Sequence, residues 1–274
     1  MPTSFYRVAG HRPVSVYVPS SYDSRTTMPL VLLLHGYGDT GAGVEGRMQF
    51  RPLAEARGFL YCAPDSLVDQ AGYQFWNASE GCCDFYNTGV DDAGYLRGLI
   101  EEIGSQFKVD RKRIYLIGHS NGGFMSYRMS SLSPDLIAGI ASLAGMTFLD
   151  SSRCIPSQPV NILHIHGTAD DVVPYWGGAL VGFPGIMASF PGAVQTVQTW
   201  ASYNAAANPV TDIAPSLDLT TDVAGLDTLV TRNTNFRPGG AVELWTITGG
   251  GHGPNLSLQF SPLVIDWLLA HTKP

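Results

Sequence analysis

No run in the 274-residue sequence approaches the roughly 18 consecutive apolar residues that a membrane helix needs, so no membrane partner is expected. Cationic residues are few. The 16 Lys and Arg stand against 23 Asp and Glu and are scattered, which leaves no basic patch to follow a phosphate backbone, and nucleic acid is not an expected partner. The histidines and the four cysteines show neither C-x-x-C nor H-E-x-x-H spacing, so no metal and no other cofactor is expected. Internal repeats and linker-like stretches are also missing, and the length fits a single domain over residues 1–274. The opening Met1-Pro2-Thr3-Ser4 lacks the basic and apolar regions of a signal peptide. That leaves either a cytosolic protein or one whose leader lies outside this sequence.

What is present is a globular, loop-rich composition: 45% hydrophobic, with 31 Gly and 18 Pro. The most informative stretch is Arg113 to Phe124. Ile114 to Ile117 form a short apolar run suited to a strand buried on both faces of a parallel sheet. Gly118-His119-Ser120-Asn121-Gly122 then spells G-x-S-x-G, and helical character follows from Phe124 to Ser131, before Pro134. Strand, sharp turn and helix is the context in which this motif lifts a serine to the apex of a nucleophile elbow. Ser120 is therefore the candidate nucleophile; the alternative is an ordinary turn with a solvent-facing serine.

Other segments supply partners for that serine. Phe5–Val8 and Val14–Val18 alternate around Gly10-His11-Arg12 and read as an antiparallel N-terminal hairpin at the sheet's edge. Leu30 to Leu34 delivers a glycine-rich loop, His35 to Thr40, whose Tyr37 amide would join that of Asn121 as an oxyanion hole. His35 is read as orienting this loop. Phe50–Arg57 looks helical and Phe59–Ala63 strand-like. The long polar segment Asp65 to Thr88 carries Trp76, which is either a substrate platform or a packing anchor. Asn77 and Asn255 each begin a glycosylation sequon. Asp91 reads as the N-cap of a helix over Ala93–Phe107, and capping explains that acid pair without chemistry.

Leu136–Leu143 and Val160–Ile165 are further strands, and the second opens onto Asp170 and Asp171. An acid after a strand C-terminal to the elbow is the member that orients a histidine, and Asp170 is preferred to Asp171. Ala193–Tyr203 reads as a helix. Asn208 to Arg237 reads as an irregular insertion with strand-like Thr228–Thr231. Val242–Ile247 is the last strand, Leu263–His271 a closing helix, and His252, embedded in glycines, is the candidate general base. The order Ser120, Asp170, His252 is that of α/β-hydrolases, so the expected fold is α/β with a mostly parallel, doubly wound sheet and an antiparallel N-terminal hairpin.

These motifs together resemble the polyhydroxybutyrate depolymerase and feruloyl esterase family of α/β-hydrolases. L-H-G-Y-G, R-I-Y-L-I-G-H-S-N-G-G-F-M, H-I-H-G-T-A-D-D-V-V-P-Y and G-G-G-H-G-P carry the likeness, with Trp76-Asn77 and Cys82-Cys83. The resemblance implies secretion, no cofactor, and a serine esterase acting on hydroxyalkanoate, feruloyl or acetyl-xylan esters. The expected partner is thus an ester substrate, soluble or amorphous, with Trp76, Tyr175 and Trp176 as candidate substrate-binding residues. One disulfide is expected from the Cys82/Cys83 pair to Cys154, with Cys62 a buried thiol. A serine peptidase on the same fold and a non-catalytic binding protein remain as alternatives.

Overall fold

A computed structural model of the chain describes residues 4–8, 12–180, 188–234 and 236–274. Its strands, in chain order, are β1 (Ser4–Val8), β2 (Val14–Val18), β3 (Met28–Leu34), β4 (Leu60–Cys62), β5 (Leu67–Val68), β6 (Gln74–Phe75), β7 (Val109–His119), β8 (Gly139–Leu143), β9 (Asn161–Gly167), β10 (Ala207–Thr211), β11 (Thr228–Thr234) and β12 (Val242–Ile247). The helices are α1 (Gly41–Met48), α2 (Phe50–Arg57), α3 (Asp92–Gln106), α4 (Asn121–Leu132), α5 (Ala193–Tyr203) and α6 (Phe260–Ala270). Ten strands form one sheet in the order β1-β2-β4-β3-β7-β8-β9-β12-β11-β10, while β5 and β6 pair separately within the long loop.

Strands β4, β3, β7, β8, β9 and β12 run parallel, and their central members are buried and largely apolar because both faces are covered. Along β3 the side chains alternate: Leu30, Leu32 and Leu34 pack into the core under α3, α4 and α5, and Val31 and Leu33 into the core under α1, α2 and α6. The N-terminal hairpin β1–β2 forms one edge as expected, and the turn assigned to Gly10 and His11 lies outside the described residues.

Two elements depart from the sequence reading. The stretch read as an irregular insertion is a second antiparallel pair: β10 pairs with β11, and β11 with β12, so the sheet continues by two strands beyond β12 at its far edge. Helix α1 follows the His35–Thr40 loop, in residues to which the sequence reading assigned no element. Its three glycines disfavour a helix, yet Thr40 Oγ1 accepts the amide of Gly43 at 2.9 Å and Val44 and Met48 are buried. Tertiary packing overrides propensity there.

Chain order runs β3 to β4 in one direction across the sheet, then jumps back to β7 beside β3 and proceeds the other way. The loops leaving β3 and β7 therefore part company at a switch point, where a crevice opens at the carboxyl ends of the strands. Leu34 of β3 pairs with Gly118 of β7, which brings His35–Thr40 and Ser120 to the same place.

Candidate active site

Ser120 sits between the end of β7 and the start of α4 with φ 53° and ψ −120°, a left-handed conformation costly for a residue with a Cβ. The chain holds it there from both sides: the Ser120 amide donates to Leu143 O at 2.8 Å, and the Ser120 carbonyl accepts from Phe124 N at 3.0 Å. The flanking glycines are a matter of space. A Cβ on Gly118 would run into the carbonyl of Gly122, and one on Gly122 into the carbonyl of Leu34, so helix and strands approach with no room for a methyl group.

The loop after β12 brings His252 over this turn. Its Nε2 lies 2.9 Å from Ser120 Oγ, and its Nδ1 lies 2.9 Å from Asp170 Oδ2. An ionised carboxylate only accepts, so Nδ1 carries the proton and donates, and the Nε2 lone pair accepts the serine hydroxyl. Asp170 Oδ1 in turn accepts the amides of Val172 at 3.0 Å and Val173 at 2.8 Å. Burial by itself would raise this carboxyl, but hydrogen bonds from His166 and His252 outweigh it and hold the group well below the usual carboxylate range. The Asp170 side chain is sealed, whereas His252 keeps 17% exposure, so the line runs from the interior to solvent. Asp171 stands exposed beside it and makes none of these bonds.

The loop from β3 lies against the serine: a Cβ on Gly36 would stand 3.4 Å from Ser120 Cβ, which puts the next peptide, that of Tyr37, at the elbow. The Tyr37 side chain points away, its hydroxyl donating to Asp69 Oδ2 at 2.5 Å and its ring edge-on to Phe85. Asn121 is the first residue of α4, where amides are left over from the helix ladder and the dipole is positive. Its side chain has a separate task. Oδ1 accepts the Trp76 amide at 2.7 Å and Nδ2 donates to Trp76 O at 2.9 Å, which fastens the long loop to the start of the helix. His35 holds the other side of that loop. Its Nδ1 donates to Gly36 O at 2.7 Å and its Nε2 accepts Ser66 N at 3.1 Å, and burial keeps the ring neutral by lowering its pKa.

Three sequence expectations are corrected here. Trp76 is fully buried, its indole N–H donating to His35 O at 3.1 Å and its ring stacked on Tyr95, so it anchors the loop and offers no face to a substrate. Tyr175 is 6% exposed, with its hydroxyl 3.0 Å from Thr246 Oγ1, and it packs behind the Asp170 loop. Of the three aromatic candidates, Trp176, at 79% exposure, presents its ring to solvent. The cysteines also pair differently: Cys82 is joined to Cys83, and Cys154 is free and buried, its Sγ 3.7 Å from Thr147 Oγ1. Adjacent cysteines need no long-range folding to meet, whereas the loop holding Cys154 turns its thiol inward. Cys62 is a buried free thiol in β4, as expected.

Some residues at the site escaped the sequence reading. His119, on the strand just before the serine, donates from Nε2 to the His252 carbonyl at 2.9 Å, which ties the histidine loop to β7. Burial, followed by the neighbouring His252, pushes its pKa down to about 4, so it stays neutral beside the site. His164 and His166 lie fully buried behind Asp170. Two histidines spaced i, i+2 on a strand entering the acid loop were the available signal, since they must share a face. Among the described residues no group of three or more His, Cys, Asp or Glu is arranged to hold a metal ion, and no helix is long and apolar enough to cross a membrane.

With this geometry in place, comparison with known proteins is informative. A family model described as "Alpha/beta hydrolase family" matches residues 31–262. Feruloyl esterase B of Piromyces equi is 31% identical over 88% of this chain, and the match covers 42% of that protein. Poly(3-hydroxyalkanoate) depolymerase C of Paucimonas lemoignei is 26% identical over 86% of this chain and 57% of its own length. The chain thus spans about half the length of these curated relatives. Among solved structures, acetyl xylan esterase from Aspergillus awamori superposes with a TM-score of 0.65 over 97% of this chain and 98% of the other, at 17% identity, a likeness of fold.

Proposed function

The chain belongs to the alpha/beta hydrolase family, and on that premise we propose that it is a serine carboxylic-ester hydrolase with Ser120, His252 and Asp170 as its catalytic set. The observation that carries the reading is the unbroken pair of 2.9 Å hydrogen bonds from Ser120 Oγ through His252 to Asp170, at the switch point of the sheet. In the first step the His252 Nε2 lone pair takes the Ser120 proton as Oγ attacks the ester carbonyl. The amides of Tyr37 and Asn121 receive the charge that develops on the carbonyl oxygen, aided by the α4 dipole. His252 then gives its proton to the departing alcohol, and an acyl-enzyme remains. Water, deprotonated by the same imidazole, releases the acid, while Asp170 keeps Nδ1 protonated throughout.

The names of the relatives point to the substrate class: feruloyl esters, acetylated xylan, or hydroxyalkanoate oligomers and amorphous polymer. All share an ester whose acyl or alcohol half is bulky, which suits a site whose histidine edge is open to solvent. The reading takes residues 1–274 as a single catalytic domain working outside the cell without a cofactor. Its test is a panel of methyl ferulate, hydroxybutyrate oligomers, acetylated xylan and an aromatic polyester, run beside peptide amides with Ser120→Ala as control. Turnover of at least one ester, lost in Ser120→Ala, is expected. Ester hydrolysis that survives the substitution refutes the proposal.

A further inference from the structure

Strand β9 carries Ile162, His164 and His166 on one face and Leu163 and Ile165 on the other. The two histidines therefore face α4 and α5, in the core that holds Tyr127 and Trp200, and both are fully buried. Burying two imidazoles is costly unless each polar atom finds a partner. Here each does. His166 Nε2 lies 2.8 Å from Val173 O and 3.1 Å from Asp170 Oδ2, His166 Nδ1 lies 3.3 Å from His164 Nε2, and His164 Nδ1 lies 2.8 Å from Tyr127 Oη.

These contacts fix the protons. Two acceptors face His166 Nε2, so that atom must carry a hydrogen; its Nδ1 then bears a lone pair, which only the His164 Nε2–H can meet. His164 Nδ1 is left as an acceptor for the Tyr127 hydroxyl. The opposite tautomers would set lone pairs against a carboxylate and a carbonyl. Burial, then the neighbouring His166, holds His164 far below the ordinary histidine pKa, in keeping with a neutral chain. The outcome is a one-way series of donors, Tyr127 to His164 to His166, that ends on the acid of the triad. Asp170 Oδ2 thus receives the His252 Nδ1–H at 2.9 Å and a share of the His166 Nε2–H, which lies 3.1 Å away and is divided between this carboxylate and Val173 O at 2.8 Å.

We propose that His166, backed by His164 and Tyr127, is a positioning residue that shares the Asp170 carboxylate with His252 and thereby sets the pH at which turnover begins. The inference rests on the catalytic reading above. A carboxylate oxygen that serves two donors has less charge to offer either. Asp170 therefore stabilises the imidazolium formed during acyl transfer less than a singly bonded carboxylate would, and the site works at lower pH for that reason. The second donor also stops the carboxylate from rotating away from His252. His166 itself is sealed from solvent and substrate and takes no proton from the reaction. The other titratable groups around this chain are Tyr175, edge-on to His166, Tyr127 beside His164, and His119 beside His252 with Arg47 behind it.

The test compares His166→Leu, which removes the donor, with His166→Gln, whose amide nitrogen reaches the place of Nε2. Profiles of kcat/KM against pH are measured on a short-chain ester. In His166→Leu the acid limb should move up by about 0.5–1 pH unit, and activity at its plateau should fall about tenfold, the scale of one hydrogen bond to a charged group. His166→Gln should restore the native midpoint. An acid limb that stays in place in His166→Leu, or a Gln variant no closer to native than Leu, overturns the proposal. Should both variants fail to fold, nitrogen NMR of the native protein decides: His164 and His166 are expected as Nε2–H tautomers, and His166 as an Nδ1–H tautomer overturns it. Ester turnover that survives Ser120→Ala would instead sink the catalytic reading, whereas Ser120-dependent turnover with an unmoved midpoint sinks the role of His166 alone.

Discussion

Replacing Asn121 by Ala separates what this residue's side chain does from what its amide is proposed to do. The side chain meets both main-chain groups of Trp76, at 2.7 and 2.9 Å, and both residues are fully buried. Alanine leaves a donor and an acceptor without partners, each costing about 1–3 kcal/mol, so a total loss of about 2–6 kcal/mol is expected. For a chain of this size that corresponds to a Tm lower by about 4–12 °C. Activity should suffer through geometry. Trp76 holds the His35 carbonyl through its indole N–H, and the loop that follows leads to Tyr37. A displaced Tyr37 amide weakens one of two oxyanion donors, and kcat should drop by about 10- to 100-fold, short of the 10²–10³ seen when such a donor is deleted outright. KM should change little, because the interaction strengthens only as charge develops. Thermal unfolding and steady-state kinetics on a chromogenic ester measure both effects. A variant that melts within about 1 °C of the native protein and keeps kcat within about twofold would refute the argument that this lock holds the loop.

Gly122→Ala should cost about 1–3 kcal/mol and most of the activity, since its methyl would collide with the Leu34 carbonyl, a main-chain group that cannot step aside; near-native melting and turnover would contradict the close packing described. Stability should fall with acid. The unfolded chain protonates its histidines near pH 6.5, whereas folded His119 resists until about pH 4 and burial holds His164 well below its ordinary value, so the loss begins as pH drops through about 6.5. For His119, partly screened by solvent at its exposed edge, this amounts to about 2 kcal/mol between pH 7 and 4.5, and urea unfolding that gives the same stability at both values would refute it. Mass spectrometry of the denatured, alkylated protein should find two free thiols, Cys62 and Cys154, and Cys82 and Cys83 in one peptide two hydrogens lighter than its reduced form. A bridge to Cys154 would contradict the structure.

Much of the site was legible because its signals are local. Gly118, Ser120 and Gly122 sit within one turn, and the strand that precedes them carries the apolar run Ile114 to Ile117. His252 stood out because glycines surround it and nothing else explains its presence. Strands β3 and β7 were legible for the same reason, since burial on both faces writes a nearly continuous apolar run, and β9 and β12 keep enough apolar positions to be read despite His164, His166, Glu243 and Thr246. What escaped the sequence depends on neighbours brought from afar. Whether Trp76 faces substrate or core is decided by Asn121 and His35, residues far away in the chain. Edge strand β10 was hidden because it is exposed along its whole length and carries a proline, whereas Thr228–Thr231 of β11 already read as strand-like. His166 acquires meaning only when Asp170 and Tyr127 are seen on either side of the His164–His166 pair.

The central claim is that Ser120 is made nucleophilic by His252, and covalent labelling tests it most directly. A fluorophosphonate should add once per chain, on Ser120, with inactivation and labelling proceeding together, and His252→Ala should slow the labelling by orders of magnitude. A phosphonyl group found on another residue, or equal labelling of the native and His252→Ala proteins, would contradict the account.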